Sequence, residues 1–172
     1  MTSKPEEHPR RGQAEAPTTY NLLFVCTGNT CRSPMAAAIT EDQVERRGWH
    51  HVSVQSAGVS AGAGSPAAAA AIEVAAENGV DLSAHRSRPL TAELVEWADA
   101  IVAMSEWHAD RVVELGGGAK VSLATDFLDD GDPAVGIPDP IGMEAAVYRE
   151  TWTVLGDVVD GVLDRLEAIL AP

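Results

Sequence analysis

Cysteine is scarce in this chain: only Cys26 and Cys31 occur among 172 residues, five positions apart. Secreted domains held together by disulfides need more cysteines than this, so we expect a cytoplasmic protein. Long apolar runs are lacking as well, since none approaches the roughly 20 residues of a membrane span. Cysteine and histidine do not recur at the spacing of metal ligands, so no metal site is expected.

Positive charge is the second shortage. Lysine and arginine total 12 against 26 aspartates and glutamates, which gives a net charge of −14 and excludes nucleic acid as a partner. The length and the 45% hydrophobic content favour one globular domain, whose oligomeric state the sequence leaves open. Residues 1–19 lack an apolar core and the apolar run of a secretory signal, which predicts a disordered tail before a domain at 20–172.

Short apolar runs alternate with helical patterns along that domain. Strands are predicted at 22–25, 52–54, 100–104 and 121–123, and helices at 33–48, 66–77, 91–97, 105–115 and 144–170. This alternation predicts an α/β fold, a three-layer sandwich around a central four-stranded parallel sheet with right-handed crossovers. Ligands bind such sheets at the carboxyl ends of strands, so the segment after the first strand is the candidate phosphate-binding loop.

That segment sets Cys26 and Arg32 six positions apart, with Gly28 between them and a helix expected to begin at Ser33-Pro34. Unpaired amides at a helix N-terminus bind oxyanions and favour the thiolate form of a nearby cysteine. The planar arginine fork matches two oxygens of a phosphoryl group. The pattern favours a cysteine-dependent phosphatase over its structural alternative, a buried cysteine and a surface arginine.

A phosphatase of this kind also needs an acid to protonate the leaving group. The acidic segment before the last predicted helix offers five aspartates: Asp126, Asp129, Asp130, Asp132 and Asp139. Asp132 and Asp139 each precede a proline, which holds them in extended backbone and helps to fix the direction of the carboxyl group. The residues by themselves do not choose between these candidates.

Residues 25–34, Val-Cys-Thr-Gly-Asn-Thr-Cys-Arg-Ser-Pro, resemble the signature loop of the low-molecular-weight protein tyrosine phosphatase family. Segments 56–58, 79–85, 98–104 and 139–142 resemble further family segments in the expected order, so the resemblance covers about residues 20 to 170. It implies hydrolysis of phosphorylated protein substrates through a thiophosphoryl-enzyme intermediate, without a cofactor. It also selects Asp139, in Asp139-Pro140-Ile141-Gly142, as the acid.

The resemblance assigns roles to the rest of the site. Phosphate binding falls to the loop residues Thr27, Gly28, Asn29, Thr30, Cys31 and Arg32. Ser33 is expected to bond the Cys26 sulfur, and Asn29 to hold the loop in shape with Ser56 and His85. Cys31 is expected to form a disulfide with Cys26 under oxidation, or else to pack beneath the loop.

Thr30 and Ile141 stand where the substrate is selected in the family. Thr30 resembles the protein arginine phosphatase branch, which favours a polar phosphoguanidinium, so phosphoarginine is the favoured substrate. Phosphotyrosine is the alternative, although it calls for an apolar, aromatic wall and Ile141 supplies no ring. An arsenate reductase would need further relay cysteines, and an inactive phosphate-binding module would be expected to lack Cys26, Arg32 or the acid.

Two aromatic residues outside these motifs carry expectations of their own. Trp49 follows the first predicted helix, and we expect it near the rim of the site. His108 has no partner recognisable from the sequence and is expected at an exposed position of its helix.

Overall fold

The computed structural model describes residues 19–171, so most of the predicted N-terminal tail (residues 1–18) lies outside the described residues. Four strands form one parallel sheet in the order β2-β1-β3-β4. They are β1 (Tyr20–Cys26), β2 (Val52–Gly58), β3 (Ala100–Ala103) and β4 (Val121–Leu123). Helices flank the sheet: α1 (Arg32–Arg46), α2 (Ala69–Glu77), α3 (Ala92–Trp97), α4 (Glu106–Glu114) and α5 (Ala145–Leu170). The predicted α/β sandwich with a parallel sheet is confirmed.

The alternation of side chains along β1 divides the core into two layers. Leu22 and Phe24 point to the side covered by α1, α2 and α5, where the larger cluster of buried residues lies. Leu23 and Val25 point to the opposite side and pack with Val95 of α3 and Val112 of α4. Because β1 is apolar on both faces, it must lie in the middle of the sheet.

The central position of β1 determines where the candidate loop lies on the sheet. β2 pairs with one edge of β1, and β3 pairs with the other edge. The crossover connections therefore run in opposite directions from β1. A crevice opens at the carboxyl end of the strand where such a reversal occurs. Residues 27–31, which join β1 to α1, lie at this end of the sheet.

The structure corrects the predicted start of α1. The helix begins at Arg32 with Cys31 as its N-cap residue, and no side chain caps it. Ser33 therefore lies inside the first turn rather than at the N-cap position. Its hydroxyl contacts the Cys26 sulfur and does not cap the helix backbone. A short 3-10 helix at Ala124–Phe127, which the sequence did not indicate, follows β4.

The expectation for Trp49 was wrong. Its side chain is 5% exposed and belongs to the core cluster beyond the C-terminal end of α1. The candidate loop precedes the opposite end of this 15-residue helix, about 20 Å away at 1.5 Å per residue. Among residues 19–171, no helix combines the length and the apolar character that crossing a membrane requires.

Candidate active site

The loop between β1 and α1 turns its carbonyl groups outward, where neighbouring segments bind them. Three amides donate to these carbonyls at 2.9 Å: Val59 to Cys26, Ser60 to Thr27, and Ala68 to Thr30. No amide from Thr27 to Arg32 donates to an acceptor within the described part of the chain. Six N–H groups are thus left for an oxyanion in front of a helix N-terminus.

Asn29 holds the loop in this shape. Its φ is +56°, in the left-handed region that asparagine tolerates better than most residues. Its buried side chain donates to Ser33 Oγ (2.8 Å) and Ser56 Oγ (2.9 Å), and its Oδ1 accepts from the Arg88 amide (3.0 Å). His85 Nε2 lies 2.7 Å from the Asn29 carbonyl oxygen and must donate to it.

Burial lowers the pKa of His85, so its ring is neutral near pH 7. The neutral ring then carries its hydrogen on Nε2, because the carbonyl partner can only accept. The structure thus brings both residues that were expected to support Asn29, Ser56 and His85, into contact with it.

Cys26 ends β1 at the base of the loop and is 2% exposed. Its Sγ lies 2.9 Å from Ser33 Oγ, which also accepts the Asn29 amide hydrogen and lies 3.4 Å from the Ala57 carbonyl. The hydroxyl has a single hydrogen, and the shorter contact directs it to the sulfur. A chain of hydrogen bonds therefore runs from Asn29 through Ser33 to the Cys26 sulfur.

Arg32 joins the loop to the acidic segment. Its Nη1 donates to the Ile137 carbonyl (2.9 Å), and its Nη2 donates to Thr27 Oγ1 (3.2 Å) and lies 3.4 Å from Asp139 Oδ2. The remaining nitrogen, Nε, is buried without a hydrogen-bond partner. An unpaired guanidinium N–H in a buried setting is costly unless a ligand accepts from it, so Nε marks a position for a phosphoryl oxygen.

Of the five candidate aspartates, the structure brings Asp139 into the pocket that contains Cys26. Its Oδ1 accepts from the Ile141 amide (3.2 Å), and its side chain is 39% exposed. Asp132 binds the amide of Ala134 in its own turn, and Asp126 binds the amide of Leu123. Asp129 and Asp130 line a different concavity, beside α5.

The pocket has a volume of about 200 Å³. Its described lining contains no aromatic side chain and consists of Cys26, Thr27, Gly28, Thr30, Cys31, Arg32, Asp139 and Ile141. Ile141 is 61% exposed at the mouth, and Thr30 is half-buried. Burial raises the pKa of the Cys31 thiol, which lies 3.4 Å from the Tyr148 hydroxyl. Both cysteines are free thiols.

His108 belongs to the site, although it was expected at an exposed position of its helix. It is fully buried rather than exposed, because it lies on the inner face of α4 against the phosphate loop. Its Nε2 lies 2.9 Å from Thr27 Oγ1, and its Nδ1 lies 2.7 Å from Ser105 Oγ. A Ser-x-x-His pattern at the start of a helix that follows a strand was the available signal.

The protonation of His108 follows from its partners. Burial, and then the charge of Arg32, lower the pKa of His108 to about 4, so the ring is neutral near pH 7. Thr27 Oγ1 accepts from Arg32, which leaves its own hydrogen for His108 Nε2. Nδ1–H then donates to Ser105. The series Arg32–Thr27–His108–Ser105 thus supports the guanidinium at its Nη2 atom.

The site brings a free buried thiol together with loop amides that have no partner among the described residues, an arginine with an unpaired N–H and one nearby carboxyl group. This combination is that of a cysteine-dependent phosphatase. The family model described as low molecular weight phosphotyrosine protein phosphatase matches residues 21–170. The chain belongs to this family.

Named relatives include both substrate classes. The protein-arginine-phosphatase of Geobacillus stearothermophilus is 41% identical over 152 residues, 86% of this chain and 97% of that one. A probable low molecular weight protein-tyrosine-phosphatase, EpsP of Ralstonia solanacearum, is 48% identical over 153 residues, with the same coverage. Overall identity therefore does not separate the two classes.

A solved structure of a YwlE arginine phosphatase mutant with a phosphorylated active-site serine is also similar to this chain. The TM-score is 0.77 at 34% identity, and the match covers 87% of this chain and 97% of that one. The likeness therefore extends over the sheet, the phosphate loop and the closing helix.

We predict that His108→Ala weakens phosphate binding by about tenfold, because Thr27 loses a buried hydrogen-bond partner and Arg32 loses its lateral support. The inhibition constant of inorganic phosphate and the KM for p-nitrophenyl phosphate should rise together. His108→Gln, whose amide oxygen can accept from Thr27, should restore most of the binding. Equal loss of thermal stability in both variants with unchanged phosphate affinity would show a purely structural role.

Proposed function

We propose that this phosphatase works through Cys26 as nucleophile, Arg32 as phosphate-binding and charge-stabilising group, and Asp139 as general acid and base. The observation that carries the proposal is that the Cys26 thiol and Arg32, whose Nε is unpaired, share one small pocket with a loop whose amides have no partner among the described residues. These groups match the parts of a phosphoryl dianion: phosphorus opposite the sulfur, and oxygens towards the N–H donors.

In the first step, the Cys26 thiolate attacks phosphorus, the S–P bond forms, and the bond from phosphorus to the leaving group breaks. Asp139 gives its proton to the departing atom. Contact with Arg32 at 3.4 Å keeps this carboxyl group beside the phosphate, and the Ile141 amide fixes its direction.

In the second step, the Asp139 carboxylate takes a proton from water, and the water oxygen attacks phosphorus. The S–P bond breaks, inorganic phosphate leaves, and the electron pair returns to Cys26. Ser33 stabilises the sulfur both as attacking thiolate and as leaving group through the contact at 2.9 Å. The loop amides and Arg32 bind the phosphoryl oxygens in both steps.

Cys26→Ser should abolish turnover, by more than about a thousandfold, because a serine hydroxyl at this position has no general base to ionise it. Phosphate binding should persist, since the amides and Arg32 are unchanged. Steady-state hydrolysis of p-nitrophenyl phosphate and isothermal titration with inorganic phosphate measure the two effects.

Cys31→Ser is the matched variant, because it removes the other thiol of the same loop. It should retain far more activity than Cys26→Ser. Near-normal turnover by Cys26→Ser would contradict a covalent mechanism.

Asp139→Ala should slow hydrolysis by about 10²–10⁴-fold for substrates with poor leaving groups, since a positioned acid contributes that much. The loss should be smallest for p-nitrophenyl phosphate, whose leaving group needs little protonation. Leaving-group dependence of kcat across a series of aryl phosphates is the measurement. Asp132→Ala, the other aspartate before a proline, is the control; if it gave the same dependence and Asp139→Ala did not, the choice of acid would be wrong.

Phosphoarginine is the substrate that we propose. Thr30 offers a hydroxyl inside a pocket whose described lining has no aromatic side chain, and a phosphoguanidinium has N–H groups for which such a hydroxyl is an acceptor. A phosphotyrosine ring would gain more from an apolar, aromatic wall than Ile141 provides. Phosphotyrosine remains the second candidate, because Ile141 is an exposed apolar side chain at the mouth of the pocket.

Thr30→Ile should reverse a preference for phosphoarginine, lowering kcat/KM for a phosphoarginine peptide by about tenfold or more through the loss of one hydrogen bond. Thr30→Ser keeps the hydroxyl and should keep the preference, whereas Thr30→Val keeps the shape and should lose it. Turnover of matched phosphoarginine and phosphotyrosine peptides measures the ratio. A wild-type preference for phosphotyrosine that Thr30→Ile leaves unchanged would show that Thr30 is not the selector.

The proposal includes a reducing compartment such as the cytoplasm, because the nucleophile must remain a free thiol. Both thiols are free and belong to one loop, which supports a protective disulfide between Cys26 and Cys31 after oxidation. Burial keeps Cys31 protonated under reducing conditions, so it does not compete as nucleophile.

A further inference from the structure

Beside the catalytic pocket lies a second concavity that the mechanism does not use. Its volume is about 500 Å³, against about 200 Å³ for the catalytic pocket. The two share Thr27, Arg32 and Asp139 as lining residues, so the Asp139 side chain stands between them. A polypeptide that inserts its phosphorylated side chain into the smaller pocket therefore emerges next to the larger one.

This second concavity, the Trp107 groove, has a mixed lining in which several exposed apolar side chains lie beside polar ones. Trp107, in the first turn of α4, is 51% exposed, and Val135, from the segment before Asp139, is 65% exposed. Three further exposed residues of that segment line it: Pro133, Ala134 and Pro138. Tryptophan is enriched among the residues that dominate binding energy at interfaces.

Hydrogen bonds to the backbone of Ile137 fix the segment that forms one wall of the groove. The Ile137 amide donates to the Met104 carbonyl (2.8 Å), and the Ile137 carbonyl accepts from Arg32 Nη1. Gly136 approaches the same place so closely that an added Cβ would lie 2.7 Å from the Met104 carbonyl oxygen. The segment at 133–138 is thus fixed against the start of α4, and the groove is continuous with the phosphate loop.

The charges around the groove restrict its occupant. Glu106 lines the exposed side, Asp139 lies at the boundary with the catalytic pocket, and the chain carries a net charge of −14. Among the described residues that line the groove, the one cation is Arg32, which already faces Asp139. An acidic segment would be repelled here, whereas a neutral apolar side chain would bury the indole and the Val135 methyl groups.

We propose that the Trp107 groove binds a bulky apolar or aromatic side chain next to the phosphorylated residue of a protein substrate. The inference rests on the proposed function, since it requires that the substrate be a phosphorylated polypeptide. The groove makes the enzyme selective for sequence around the phosphorylated residue, a property distinct from the choice between phosphoarginine and phosphotyrosine.

The test compares kcat/KM for two peptides that differ only in the residues flanking the phosphorylated one, phenylalanine on both sides or serine on both sides. The peptides carry whichever phosphoresidue the substrate comparison above favours. For the wild-type enzyme, kcat/KM should be about tenfold higher for the phenylalanine peptide, mainly because its KM is lower. This is the size of effect expected of one aromatic anchor at an interface. Trp107→Ala should remove this preference while the turnover of p-nitrophenyl phosphate, which has no flanking residues, stays near normal.

Two further variants keep the test decisive. The Trp107 ring lies tilted against the His108 ring with the centroids 4.2 Å apart, so Trp107→Ala could also shift His108 and the loop residue Thr27 that it contacts. Val135→Ser avoids that contact and should reduce the preference by itself. Val113→Ser is the matched control, an exposed valine of α4 outside the groove, and should leave the preference unchanged.

Equal turnover of the two peptides by the wild type would overturn the proposal. So would a preference that survives both Trp107→Ala and Val135→Ser. If the wild type does not hydrolyse p-nitrophenyl phosphate at all, the proposed function fails; hydrolysis without a peptide preference overturns the groove alone.

Discussion

The outward rotation of the phosphate-loop carbonyls is the constraint on which the site depends. A loop that binds a dianion must present N–H groups, and each carbonyl turned towards the phosphate would oppose it. Asn29 makes this rotation possible: its left-handed backbone reverses the chain, and its buried side chain replaces the hydrogen bonds that regular structure would supply. The same side chain reaches Ser33 and through it Cys26, so the loop and the proposed nucleophile are held by one hydrogen-bonded side chain.

The sheet brings its neighbours close enough to provide that support. Gly58 ends β2 opposite Cys26, and a Cβ at this position would lie 2.8 Å from the Asn29 nitrogen. Glycine is therefore required where β2 passes beneath the loop, because any side chain would push the two segments apart. Ser56, two residues earlier on the same strand, can reach Asn29 only because of this close approach.

The features that could be predicted from the sequence are those that depend on residues within one short segment. The apolar run of β1 and the contiguous Cys26–Arg32 spacing were readable because one segment carries both. The choice of Asp139 required the family resemblance, since five aspartates share the same chemistry and only folding brings one of them to Cys26. His108 was misjudged for the same reason: its partner Thr27 is 81 residues away, and burial of a histidine on α4 depends on that contact. The expectation for Trp49 was wrong because Trp49 follows the C-terminal end of α1, whereas the loop precedes the N-terminal end.

In the proposed mechanism, the groups that carry out the chemistry are separate from the two side chains that we expect to select the substrate. The chemistry rests on main-chain amides and on Cys26, Arg32 and Asp139; Cys26 contacts Ser33, and Arg32 contacts Ile137 and Asp139. Thr30 and Ile141 line the same pocket, yet neither side chain takes part in the hydrogen bonds that fix Asn29, Ser33 or Arg32. We therefore expect substitution at these two positions to change which side chain enters without disturbing the proposed attack on phosphorus. A relative named for arginine and another named for tyrosine can both resemble this chain closely, and specificity must be assigned residue by residue at the pocket mouth.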